Sequence, residues 1–80
     1  MPKLPRAKAS EVIRALEKLG FVMVWQKGSH VILKKKVTID DRTIEIGCVV
    51  PLHNKTIAVG TLNNILSQAQ ISAEDLIDNL

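Results

Sequence analysis

Gly20 constrains this chain more than any other residue, because it divides two hydrophobic patterns that one element cannot satisfy. Before it, Ala9, Val12, Ile13, Leu16 and Leu19 fall within an arc of roughly 120° at 100° per residue, the width of a core-facing helical stripe. Arg14 and Lys18 lie on the opposite side with Glu11. After it, Phe21 to Lys27 (FVMVWQK) is rich in β-branched and aromatic residues. Gly20 tolerates the left-handed conformation that closes a helix, so a helix from about Lys8 must stop there and a strand begin. Lys3, Arg6 and Lys8, interrupted by Pro2 and Pro5, form a basic arm over residues 1–7 and the helix entry.

Between the strand at Phe21 and the apolar run Val31 to Leu33 sits Gly28-Ser29, and glycine suits the first central position of a type II′ turn. A two-residue loop pairs Lys27 with His30 at the rim of the sheet. In simple alternation Phe21, Met23, Trp25 and Ile32 share their face, and Val22, Val24, Val31 and Leu33 take the other. The face with the larger side chains is expected under the helices. A slip of one residue would exchange the faces, but not the rim position of His30.

Lys34, Lys35 and Lys36 end or extend the second strand, Asp40-Asp41 makes a polar turn, and Thr43 to Val50 forms a third strand ended by Pro51. A second helix starts near Gly60, with Thr61 or an earlier residue as its cap and Leu62, Ile65, Leu66 and Ala69 as its apolar face. Ser72-Ala73-Glu74-Asp75 has the form of a helix start, giving a short terminal helix that docks Leu76, Ile77 and Leu80. The fold class expected is α+β: α-β-β-β-α with a three-stranded antiparallel sheet, both helices on one face, and a short C-terminal helix. Eighty residues are enough for one domain, 1–80, and not for two.

Composition narrows the function. No apolar run is long enough to span a bilayer, and the basic start is not followed by a secretion-type apolar stretch, so a cytoplasmic protein without a membrane partner is expected. The single Cys48 cannot form an internal disulfide, and mid-strand it is expected to be a buried structural thiol. His30 and His53 stand apart with no ligand spacing, so neither metal nor cofactor is expected. Residues 1–36 carry nine Lys or Arg against two Glu, whereas 37–80 carry two against six Asp or Glu. Such a split suits a surface that meets phosphates, although a charge run is as often a solvated face.

The remaining chemistry is Lys27-Gly28-Ser29-His30. On spacing alone, a histidine beside a Gly-Ser turn is more often an ordinary strand residue than a functional one. An imidazole can serve as either acid or base, however, and lysines lie on both sides of this one in sequence. Metal-free RNA cleavage needs little more: a base for the ribose 2′-hydroxyl, an acid for the leaving 5′-oxygen, and cations on the phosphate.

L-E-K-L-G-F (Leu16 to Phe21), Q-K-G-S-H (Gln26 to His30), V-P-L-H (Val50 to His53) and G-T-L-N-N-I-L (Gly60 to Leu66), in this order over nearly the whole chain, resemble the HicA, or YcfA-like, toxin family. The resemblance implies a double-stranded-RNA-binding-domain-like fold. It also implies an mRNA-cleaving endoribonuclease, the toxin of a type II toxin–antitoxin pair, neutralised by a HicB-type antitoxin. It places the catalytic histidine at His30, with Gly28 and Ser29 positioning the active-site turn, and matches His53 to a second histidine of secondary role. RNA would then lie on Lys27 and the Lys34, Lys35, Lys36 cluster, with Arg14 and Lys18 presented by the first helix. The triple lysine and the stretch from Val37 to Thr43 make the second loop longer than is usual in the family. A monomer when free is expected. The competing expectation is a non-catalytic RNA-binding domain of the same fold.

Overall fold

The computed structural model describes residues 4–52 and 56–80. Its elements run α1 (Ala9–Lys18), β1 (Val22–Lys27), β2 (His30–Ile39), β3 (Arg42–Pro51), α2 (Val59–Ala69) and α3 (Ala73–Asn79). The strands form one antiparallel sheet in the order β1-β2-β3, so the strand that begins with His30 is central. This is the α+β layout expected from the sequence.

The helix-to-strand switch occurs where the sequence places it. Gly20, at φ +102°, ends α1: its N–H donates to the Glu17 carbonyl at 3.0 Å, and the Phe21 N–H donates to the Leu16 carbonyl at 3.0 Å. These two bonds satisfy carbonyls that a helix end otherwise leaves open, and they turn the buried Phe21 back onto Leu16. At the other end of α1, the Glu11 carboxylate accepts the Lys8 N–H at 2.9 Å.

Val12, Ala15 and Leu16 of α1, Leu62, Ile65 and Leu66 of α2 and Leu76 of α3 are buried with Val31, Leu33, Cys48 and Val50 of the sheet in one apolar cluster. Both long helices therefore cover a single face of the sheet. It is not the face expected to be covered. The register pairs Met23 with Leu33 but Trp25 with Ile32, so Val24 is an extra residue in β1. This bulge breaks strict alternation and puts Met23 and Trp25 on opposite faces. Val31 and Leu33 go under the helices, and Trp25, Ile32, Lys27 and His30 go to the open face. Phe21 is likewise on the helix side, because the turn at Gly20 sets its direction rather than strand alternation.

Two boundaries that the sequence leaves open are fixed by the structure. β2 runs without a break through the three lysines to Ile39 and returns through a two-residue turn in which Asp40 and Asp41 both adopt positive φ, 50° and 64°. β1 reaches only as far as Lys34, so the rest of the β2–β3 hairpin projects as a two-stranded arm. α2 begins at Val59 after Ala58, without a side-chain cap, which places Thr61 inside its first turn. α3 starts as expected: the Ser72 hydroxyl accepts the Asp75 N–H at 3.1 Å and the Asp75 carboxylate accepts the Ser72 N–H at 3.3 Å. Among the described residues, no helix is long and apolar enough to cross a membrane.

Candidate functional site on the open sheet face

Rungs of the ladder define the open face. Opposed residues share a face, and along each strand every second residue does. The rim rung is Lys27–His30–Pro51, the next is Trp25–Ile32–Val49, and the third is Val22–Lys34–Gly47. Lys36 and Glu45 form a fourth, two-stranded rung on the arm.

His30 is the first residue of the central strand and is exposed. Gly28, at φ +57°, with Ser29 at negative φ, makes the two-residue turn that brings Lys27 opposite it. Two further bonds hold this turn. The Gln26 side-chain amide donates to the Gly28 carbonyl at 3.2 Å, and the Leu52 N–H donates to the Ser29 carbonyl. The ring is thus presented at the lip of the sheet and backed by a fixed hairpin, with a cation as its cross-strand neighbour.

The three lysines separate. Lys34 and Lys36 are on the His30 face, and Lys34 is paired with Glu45 at 3.0 Å. Lys35 points to the helix side, its ammonium 5.8 Å from the centre of the Phe21 ring. It therefore does not join a cluster with its neighbours: alternation along a strand allows no run of three to share a face. Arg14 and Lys18 also leave the site. They lie on the outward side of α1, across the two-layer molecule from His30, and the Lys18 ammonium donates to the Asn79 carbonyl at 3.3 Å. His53 lies outside the described residues. Among those described, no three His, Cys, Asp or Glu come together in a metal-binding group.

Cys48 is 2% exposed on the helix side, and burial raises its thiol from an ordinary 9.0 to about 11. It is a packing residue, as its apolar strand context suggests. The residue that sequence reasoning passed over is Trp25, more than half exposed beside the His30 rung. Its signal was alternation: two residues from Lys27, it falls on the same face as the Lys27–His30 rung, and only the exposure of that face was unexpected.

These features define a small α+β domain with one open sheet face, carrying an exposed imidazole and lysines. Residues 9–71 match the family model described as HicA toxin of bacterial toxin-antitoxin, and the chain belongs to this family. It is thereby a toxin of the toxin–antitoxin kind. No curated protein matches the sequence.

Proposed function

We propose that this toxin is a metal-independent endoribonuclease that cuts mRNA at the His30 rim and is held inactive by a HicB-type antitoxin. The observation that carries this reading is the exposed His30 ring opposite Lys27 on the open face. As a neutral base, His30 takes the proton of a ribose 2′-hydroxyl, and the oxygen attacks phosphorus as the bond to the 5′-oxygen breaks. As an imidazolium, it instead protonates that leaving oxygen. Water, a lysine or His53 supplies the complementary transfer. Lys27 holds the phosphate oxygens during the displacement, and Lys34 and Lys36 hold phosphates farther along the strand. One positioned acid–base group contributes about 10²–10⁴-fold, which suits a slow nuclease. The cell compartment is then the cytoplasm, where mRNA is translated, and the free toxin acts as a monomer.

The test is incubation of total RNA with the native protein and His30→Ala side by side in EDTA. The native protein is expected to leave 2′,3′-cyclic phosphate ends, and the variant, folded alike by circular dichroism, is expected to lose cleavage. Full activity in His30→Ala overturns the assignment. RNA bound but uncut by the native protein makes it a binding module instead.

A further inference from the structure

We infer that Trp25 is a stacking platform for an unpaired base beside the phosphate that His30 addresses, so that the toxin takes single-stranded rather than duplex RNA at this site. The inference rests on the proposed nuclease reading and specifies the substrate class of that same site.

Trp25, Ile32 and Val49 form one rung across the open face, with Trp25 56% and Val49 37% exposed. This apolar rung is the immediate neighbour of the Lys27–His30–Pro51 rung, about 7 Å away, two residues along a strand. On its far side is Lys34, between the exposed Val22 and Gly47, which adds no side chain to the surface. The planar aromatic therefore has Lys27 on one side and the Lys34–Glu45 ion pair on the other. That alternation fits a strand offering π-faces between negative charges. A base stacked on the indole leaves its own sugar and phosphate within one rung of the imidazole and the Lys27 ammonium.

A base pair inside a helix cannot make this contact, because its faces are already covered by neighbouring pairs. Side-chain stacking requires splayed, unpaired bases. The cations of α1 point to the same conclusion. Arg14 and Lys18 are on the opposite surface of the molecule, so a duplex gripped by the outer side of α1 would be out of reach of His30.

Trp25 is the one tryptophan of the chain, which has no tyrosine, so intrinsic fluorescence reports on this side chain alone. The experiment uses His30→Ala, which binds without cutting, titrated with an unpaired purine-rich oligoribonucleotide and with the blunt duplex of the same strand. Saturable quenching by the unpaired strand, and much less by the duplex at equal salt, is expected. Adding Trp25→Ala is expected to weaken binding of a labelled unpaired strand by roughly 5- to 150-fold, the range for loss of one stacked base. Trp25→Phe is expected to retain most of the affinity. Both positions are solvent-facing, and circular dichroism confirms the fold of each variant.

Unchanged fluorescence with undiminished RNA affinity in Trp25→Ala overturns the platform, while cleavage by the native protein keeps the nuclease reading intact. Equal quenching by duplex overturns the single-strand assignment. A fluorescence shift that depends on protein concentration without RNA, and RNA affinity indifferent to Trp25, makes the face an interface between copies and overturns the inference. Absence of both RNA binding and cleavage in the native protein overturns the reading on which it rests.

Discussion

Lys27 and His30 face each other across the last rung of the β1–β2 ladder, separated along the chain by only Gly28 and Ser29. Their mutual placement is set by the turn, which the Leu52 N–H holds through the Ser29 carbonyl. A change in the turn therefore displaces the ammonium and the imidazole alike.

Gly28→Ala tests this dependence. A Cβ at Gly28 would meet nothing within 4 Å, so the cost is the backbone conformation at φ +57° and not a clash. An alanine held there costs about 1–2 kcal/mol. Thermal melting should fall by roughly 4–8 °C per kcal/mol for a domain of this size. Cleavage at 25 °C, where the variant is still folded, should fall further than the folded fraction does. An unchanged melting temperature would show that the turn does not require glycine.

Glu45 holds Lys34 in an ion pair whose side chains are 44% and 46% exposed. Pairs of this exposure contribute about 0–1 kcal/mol. Glu45→Gln should therefore leave the melting temperature nearly unchanged while releasing Lys34 for phosphate. RNA affinity is expected to rise several-fold at low salt, and the gain should vanish as salt increases. A loss of affinity in filter binding would remove Lys34 from the RNA path.

The neighbours Lys35 and Lys36 should behave differently. Lys36→Ala is expected to reduce the slope of log affinity against log salt by about 1, because one phosphate contact is lost. Lys35→Ala should leave that slope alone and instead lower stability by about 0.5–1 kcal/mol through loss of its contact with Phe21. Denaturant unfolding beside a salt titration separates the two effects. Equal slopes for both variants would contradict the division of the triplet between faces.

Cys48 gives the structure an alkaline limit. Its thiol, raised by burial from 9.0 to about 11, stays protonated in the folded chain over a range in which the unfolded chain ionises. The unfolded state then holds fewer protons, so stability falls as pH rises from about 9 to 11, by on the order of 1–3 kcal/mol. Below pH 9 the contribution is fully present. Unfolding free energies measured across this window should decline less steeply in Cys48→Ala. Parallel curves would show that the thiol is not coupled to folding.

Much of this was legible beforehand for identifiable reasons. Gly20, Gly28-Ser29, Asp40-Asp41 and Pro51 act through the local backbone, so they mark the end of α1, both hairpin turns and the end of β3 without reference to anything distant. The covered face was not legible, because it depends on Val24 being accommodated as an extra residue, and that is decided by packing across strands. Lys35 followed the same logic: a run of three lysines suggests one patch in sequence and two surfaces in a strand. The start of α2 is legible only to within a few residues, because Ala58 gives no capping signal. His30 and Trp25 are legible in position, because the turn fixes the rim and alternation from Lys27 carries Trp25 to the same face; that this face stays open is not.

β1 is an edge strand, exposed along its whole length and carrying Val22, Met23 and Val24 at its margin. A straight margin of this kind would recruit another copy edge to edge, and fibres could follow. The extra residue twists the margin out of register for such growth, while the lysine at its end opposes a like-charged neighbour. One irregularity in the ladder thus works against propagation of a sticky border, and straightening it by deleting Val24 is expected to make the chain clump on storage.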